Sequence, residues 1–226
     1  MTVFFDIGST LIDGPPVGPS RRLTEMLGLG PNAASELEHI LFRSPVENAE
    51  QLGEMICSRL SVDRNKSIEA CASLWDAQTR EAYVLPGARE AIASLKAAGM
   101  SRAYLSNIWA PFYQCFQREF AEEAAGCPQF LSFQTGLLKP DLEFFQHALR
   151  MAKVSPADAI MVGDTYKNDI LPAIDLGMQT VWVLHRPDKE RAALIQVLNG
   201  DAPPPDITIA SIGELCADRL RSLGGT

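Results

Sequence analysis

The sequence is poor in the features that mark zinc-bound, disulfide-stapled, nucleic-acid-binding or membrane-spanning chains. Its five cysteines, Cys57, Cys71, Cys115, Cys127 and Cys216, are an odd number scattered without a C-x-x-C pair. That pattern excludes a zinc ribbon or a disulfide framework as the organising device and reads as reduced thiols in a reducing compartment. Only three histidines occur, His39, His147 and His185, too dispersed to form a ligand cluster, and each reads as structural or surface. Positive charge is in deficit, 20 Lys and Arg against 28 Asp and Glu for a net charge of −8. Nucleic acid and anionic membrane surfaces are therefore not expected as main partners. A phosphorylated small molecule is not excluded, because a bound divalent cation reverses the local sign. No apolar run approaches the roughly 20 residues of a membrane span, and no basic segment precedes an apolar stretch at the N-terminus, so the expected location is cytoplasmic. Oligomeric state is not legible in the sequence.

What is present is ordinary globular material: 226 residues, 46% hydrophobic and 21% charged, enough for a core and for one or two domains. Outside residues 14–85, short apolar runs alternate with amphipathic helical patterns. Expected strands are 3–6, 102–106, 130–133, 159–163, 180–184 and 207–209. Ala88, Ala91, Ile92 and Leu95 share one helical face before the stop at Gly99; Phe112, Phe116 and Phe120 repeat at i, i+4, i+8; Phe144, Phe145, Ala148, Leu149 and Ala152 form a third stripe. This alternation predicts an α/β fold, a Rossmann-like parallel sheet covered by helices on both faces. Ligands of such sheets sit beyond the carboxyl ends of the strands.

Residues 14–85 break the alternation with four helical patterns and no expected strand: Leu23/Met26/Leu27, Leu37/Ile40/Leu41, Leu52/Met55/Ile56 and Ile68/Cys71/Ala72/Trp75. Pro15, Pro16 and Pro19 among glycines open this block, and Leu85-Pro86-Gly87 closes it. The expected domains are an α/β core of 1–13 and 86–226 and an all-helical cap of 14–85. Stiff linkers at both ends suit a cap that moves over the carboxyl edge of the sheet; the alternative is a helical layer packed rigidly on the core. The proline run 203–205 reads as a surface loop.

The strand ends carry chemistry. The first expected strand ends at Asp6, the second at Ser106-Asn107 and the fourth at Asp164 with Asp169 following, while Lys139 lies in TGLLKPD after the third. Each residue alone has an ordinary structural explanation as a turn, cap or solvated side chain. Together, two carboxylates, a hydroxyl, an amide and an ammonium would converge on one edge. Phosphoryl transfer to a carboxylate needs such a set: an in-line nucleophile, a cation across the transferring oxygens and further positive charge on the phosphate. Two carboxylates and a backbone carbonyl suffice for Mg2+, which keeps several waters. Lys139 supplies a point charge for nucleophile and phosphate, and Ser106 a donor to a phosphate oxygen.

DIGSTLID, YLSN, the lysine of LLKPD and VGDTYKND, in this order and spacing, resemble the four motifs of the haloacid dehalogenase-like hydrolase superfamily. The resemblance extends over essentially the whole chain, including the helical block after the first strand. It implies that Asp6 is a nucleophile forming a covalent aspartyl intermediate and that Ser106 and Lys139 bind the transferring group. Thr10 and Asn107 join the substrate-binding set, Thr10 by supporting the nucleophile loop. Mg2+ would be held by Asp6, the backbone carbonyl of Gly8, Asp164 and Asp169, and the substrate would be a small phosphorylated or other anionic molecule.

One position departs from the pattern. Phosphatases of that superfamily carry D-x-D-x-T, whose second acid protonates the leaving group and later activates water; here Gly8 stands in its place, and Ser9 where glycine is usual. Loss of a positioned general acid costs about 10²–10⁴ in rate, most for poor leaving groups. Glycine at position 8 also admits φ > 0, which would oppose a side chain there. Three readings follow. The first is a Mg2+-dependent phosphatase or phosphotransferase with good leaving groups or an acid from elsewhere. The second is a C–halogen or C–P bond hydrolase, whose branches use a cap arginine or lysine, with Arg43 and Lys66 as the residues in question. The third is a non-catalytic ligand- or partner-binding member. Trp109, next to Ser106-Asn107, lines the pocket or contacts the cap.

Overall fold

The computed structural model describes residues 1–224. Its centre is a six-stranded, all-parallel sheet built from β1 (Thr2–Phe5), β4 (Ser101–Ser106), β5 (Gln129–Leu131), β6 (Ala159–Gly163), β7 (Gln179–Val183) and β8 (Ile207–Ile209), in the order β5-β4-β1-β6-β7-β8. The helices α5 (Ala88–Ala97), α6 (Ala110–Glu119), α7 (Ser132–Thr135), α8 (Leu142–Ala152), α9 (Leu171–Asp175), α10 (Arg191–Asn199) and α11 (Ala217–Arg221) complete this part. The alternation of side chains along each strand divides the core in two. Val3 and Phe5 of β1, Tyr104 of β4 and Ile160 and Val162 of β6 pack with Ile92, Phe116 and Leu220 on one face. Phe4, Ala103, Leu105 and Met161 turn to the other face and meet Phe144, Phe145 and Ala173. Both faces are buried, so the strands are continuous apolar runs, as in doubly covered parallel sheets.

The expected strands are present, with shifted ends. β1 stops at Phe5, leaving Asp6 as the first residue beyond it, its N–H donating to the Val162 carbonyl at 2.9 Å. β5 stops at Leu131 and not at Phe133: Ser132–Thr135 close into a helical turn, ended by Gly136 at φ 72°. β1 is central, with β4 and β6 on either side in parallel register. Whatever follows β1 is thus flanked by whatever ends β4 and β6.

Between β2 (Ile12–Asp13) and β3 (Tyr83–Val84) lie α1 (Pro19–Leu27), α2 (Ala33–Arg43), α3 (Ala49–Leu60) and α4 (Arg64–Glu81). Residues 14–85 do contain a strand, contrary to expectation: β3 pairs antiparallel with β2, Ile12 opposite Val84 and Asp13 opposite Tyr83. Two residues on each side are too short for an alternation signal. Two of these helices start on side-chain caps, α3 on Asn48, which accepts from the Gln51 N–H, and α4 on Asp63, which accepts from the Lys66 N–H. Leu23, Leu37, Ile40, Leu52, Ile56 and Leu74 form a cluster of their own. The buried face of α4 is Ser67, Ala70, Cys71, Leu74 and Gln78, displaced from the apolar pattern; Ala72 is exposed. Polar residues share that face because they find partners there, the Ser67 hydroxyl donating to the Gly53 carbonyl at 2.9 Å. Among the described residues no helix is long and apolar enough to cross a membrane.

Candidate active site

The carboxyl edge of the sheet brings the separated sequence positions together. Asp6 is 6% exposed, and its Oδ1 accepts from the Ser106 hydroxyl at 2.8 Å and from Lys139 Nζ at 2.7 Å. Its Oδ2 has only a long bond, 3.4 Å, from the hydroxyl of Thr10, which is fully buried. One oxygen is thus strongly held and the other comparatively free. Lys139 also donates to Asp169 Oδ1 at 2.5 Å, so a single buried ammonium ties two carboxylates. Burial works against that ammonium, yet Asp169 and Asp6 carry its pKa above the ordinary lysine value. Asn107 fixes the lysine from behind. Its side-chain N–H donates to the Lys139 carbonyl and its Oδ1 accepts from the Lys139 N–H, both at 2.8 Å. The Asn107 amide is therefore engaged with backbone, although the residue also lines the cavity.

Asp164 follows β6 directly, and Asp169 lies on a π-helical turn, Tyr166–Ile170, of the kind often found at functional sites. The Asp164 carbonyl accepts from Trp182 Nε1 at 2.9 Å, and Asp169 Oδ2 accepts from the Thr165 N–H at 3.0 Å. Asp6, Asp164 and Asp169 each offer a carboxylate oxygen, all within 4.8 Å of one another and all buried. Burial raises the Asp164 carboxyl well above the usual range, and Asp169 and Asp6 add to the rise; Arg186 opposes it. Asp169 is pushed up to about 6, by burial first, with Lys139 pulling down and Asp6 pushing up. Three buried carboxylates offer the oxygen donors that a hard divalent cation takes, with the Lys139 and Arg186 cations already paired to them. The residues fit Mg2+.

Gly8 lines the same cavity, but the left-handed backbone falls on its neighbour: Ser9 has φ 59°, and Gly8 is not among the positive-φ residues. The Ser9 hydroxyl donates to Asp13 Oδ1 at 3.1 Å, and Asp13 Oδ1 also accepts from the Gly14 N–H at 2.9 Å. A Cβ on Gly8 would find the Phe112 ring at 3.7 Å, an ordinary contact.

The cavity measures about 300 Å³ and is walled by both halves of the chain. From the core come Asp6, Lys139, Asp164 and Asp169, and from the helical block Pro15, Pro16, Val17, Pro19, Phe42 and Gln78, without a charge among these six. Among the wall residues that sequence reasoning missed are Arg186, Lys189 and Gln78. Arg186 follows β7 in a loop without periodicity or motif, and its only signal was a basic residue just past a strand end. Trp109, only 2% exposed, joins the helical block's apolar cluster, and its Nε1 donates to Gln78 Oε1 at 3.1 Å. Arg43 and Lys66 are elsewhere. Arg43 pairs with Asp141 at 3.5 Å, Lys66 donates to the Leu27 carbonyl at 2.7 Å, and neither lines the cavity. The histidines form no cluster; His185 Nε2 lies 3.8 Å from Asp13, and His147 packs edge-on to Phe130.

Comparison with known proteins gives an independent bearing. Residues 1–177 match the family model described as haloacid dehalogenase-like hydrolase. The chain is 27% identical over 195 residues to a glyceraldehyde 3-phosphate phosphatase of Pyrococcus furiosus, covering 80% of this chain and 79% of that one. It is 35% identical over 109 residues to haloacid dehalogenase-like hydrolase domain-containing protein 3 of Xenopus laevis, covering 45% of this chain and 41% of that protein. In fold it resembles a phosphatase from Thermococcus onnurineus (TM-score 0.60, 18% identity, 99% and 97% of the two chains covered). It resembles a 2-haloacid dehalogenase from Pseudomonas syringae equally well (TM-score 0.62, 18% identity, 99% of each chain). Likeness of fold does not separate the two chemistries.

Proposed function

Because the chain belongs to the haloacid dehalogenase-like hydrolase family, we propose that it is a Mg2+-dependent phosphatase of small phosphorylated metabolites working through a covalent intermediate on Asp6. The observation that carries this reading is the bridge made by Lys139 between Asp6 and Asp169 inside a buried group of three carboxylates. That arrangement offers a nucleophile, a cation site and a fixed positive charge at one strand edge. The similarity to phosphatases that span four-fifths of the chain supports the same choice. The cap residues that carbon–halogen or carbon–phosphorus cleavage would use, Arg43 and Lys66, lie away from the cavity.

Ser106 and Lys139, which hold Asp6 Oδ1, share their protons with the incoming phosphoryl oxygens. Asp6 Oδ2, restrained only by Thr10, attacks phosphorus; the bond from phosphorus to the leaving oxygen breaks, and that oxygen takes its proton from water, because Gly8 has none to give. Water then attacks phosphorus, releases phosphate and restores the Asp6 carboxylate. A divalent cation held by Asp6, Asp164, Asp169 and the Gly8 carbonyl supplies neutralisation of the charge on the transferring phosphoryl group. The helical block, residues 14–85, acts as a movable cap on the core of 1–13 and 86–226, hinged at β2 and β3. Its uncharged wall suits a leaving group that is small and carries no charge of its own.

The test is phosphate release from acetyl phosphate, p-nitrophenyl phosphate and alkyl phosphates, with Mg2+ or EDTA, beside halide release from 2-haloacids. The activated phosphates should turn over with Mg2+ only, and Asp6→Asn should fall below about a tenth of the wild-type rate. Halide release without Mg2+, or no hydrolysis of any activated phosphate, sinks the proposal.

A further inference from the structure

Arg186 occupies one oxygen of a carboxylate that the cation reading also needs. Its Nη2 pairs with Asp164 Oδ2, a carboxylate only 5% exposed, while Asp164 Oδ1 has just a long bond, 3.4 Å, from the Thr165 hydroxyl. A guanidinium and a dication at one carboxylate repel each other at short range in a poorly solvated site. Among the described residues the buried Arg186 Nε atom has no hydrogen-bond partner, an expensive state for a charged donor. Yet the side chain lines the same cavity as Asp6 and Lys139, where the phosphoryl group of a substrate would lie. The pairing and the orphan donor have one explanation between them.

We propose that Arg186 is a displaceable counter-ion: it holds Asp164 until a divalent cation takes that carboxylate, then turns its guanidinium, including the unpartnered Nε–H, to the phosphoryl oxygens of the substrate. The inference rests on the phosphatase reading above and adds a coupling to it. Arginine suits both positions because its planar fork pairs bidentately with carboxylate and phosphate alike. The cation frees the anion's ligand, and the anion draws away the cation's competitor, so each tightens the other by the same factor. The metal-free protein meanwhile keeps a cation on Asp164, the one carboxylate of the three that Lys139 does not hold.

The experiment is calorimetric titration of EDTA-stripped protein with Mg2+ and with inorganic phosphate, each alone and in the presence of the other. It is run on wild type, Arg186→Gln and Asp164→Ala. Without phosphate, Arg186→Gln should bind Mg2+ roughly tenfold more tightly than wild type, since its competitor is gone. Loaded with Mg2+, it should bind phosphate roughly tenfold more weakly, and the mutual enhancement should shrink. Mg2+ affinity in Arg186→Gln equal to or below that of wild type overturns the inference and leaves the phosphatase reading standing. Mg2+ binding to none of the three proteins removes the cation site itself, and the inference with it. Asp164→Ala binding Mg2+ as wild type does has the same result. Should Arg186→Gln not fold, Arg186→Lys keeps the charge and loses the fork and the Nε–H. It should show the same two changes at smaller size, and wild-type values for both overturn the inference.

Discussion

A Cβ on Gly163 would lie 2.4 Å from Cγ of Asp169. The last residue of β6 is glycine because the carboxylate that holds Lys139 occupies the place of its side chain. Gly163→Ala should therefore push the π-helical turn outward and loosen the Asp169–Lys139 pair. An overpacked buried position costs about 1–3 kcal/mol, and the metal group loses its geometry as well. Thermal melting should show the loss of stability, and Mg2+ titration a weaker site. A variant with the wild-type melting temperature and affinity would mean that the turn yields freely and does not place Asp169.

Movement of the helical block has a built-in reporter. Trp109 comes from the core, yet it is buried with the helical block's cluster, edge-on to Trp75 with centroids 5.8 Å apart and donating to Gln78. Swinging the block away would bring that indole into water. Phosphate with Mg2+ should shift tryptophan emission to the blue and reduce acrylamide quenching. Gln78→Ala strands a buried N–H, at about 1–3 kcal/mol, and should raise KM more than it lowers kcat by favouring the open form. Identical emission and quenching with and without ligand would mark the block as a fixed layer.

The carboxylate group sets a pH dependence opposite to the usual one. In the metal-free protein Asp169 is raised to about 6 and Asp164 is raised as well. A carboxyl with a raised folded-state pKa stabilises the fold while both states hold the proton, below the unfolded value near 3.9. That contribution is lost as pH climbs through the folded value. In EDTA the melting temperature should fall as pH rises from about 4 to about 7, and saturating Mg2+ should remove the fall by neutralising the ionised group. Flat or rising stability in EDTA over that range would show that the carboxylates are neutralised from within.

Much of this site was legible because strand ends announce themselves. Apolar runs closing on Asp6, Ser106 and Asp164 fixed both the sheet and its chemical edge, and parallel register brought them together. The remainder was set by contacts without local pattern. Arg186 has meaning only through a carboxylate 22 residues earlier, and Asn107 spends its amide on the backbone of Lys139, 32 residues on. The buried face of α4 was displaced because Ser67 and Gln78 are buried by their partners and not by hydrophobicity. The two-residue strands β2 and β3 lie below the length at which alternation can be seen.

Position 8 gives the most direct test of the chemistry. A glycine there suggested a backbone closed to other residues, but the left-handed conformation belongs to Ser9 at φ 59°, so an aspartate at position 8 meets no backbone strain. Its Cβ would touch the Phe112 ring at 3.7 Å, ordinary van der Waals contact, and the ring is half-buried at the cavity wall. If the wild type lacks a general acid, its rate should depend steeply on leaving-group pKa, with aryl and acyl phosphates reacting and alkyl phosphates hardly at all. Gly8→Asp should flatten that slope and accelerate alkyl phosphate hydrolysis by roughly 10²–10⁴. Phe112→Ala in the same background separates chemistry from access: if the ring obstructs the new acid, the gain appears only in the double variant. Thermal melting must first show both variants folded. An unchanged slope in both would show that protonation of the leaving group was never limiting, and that Gly8 marks no deficit.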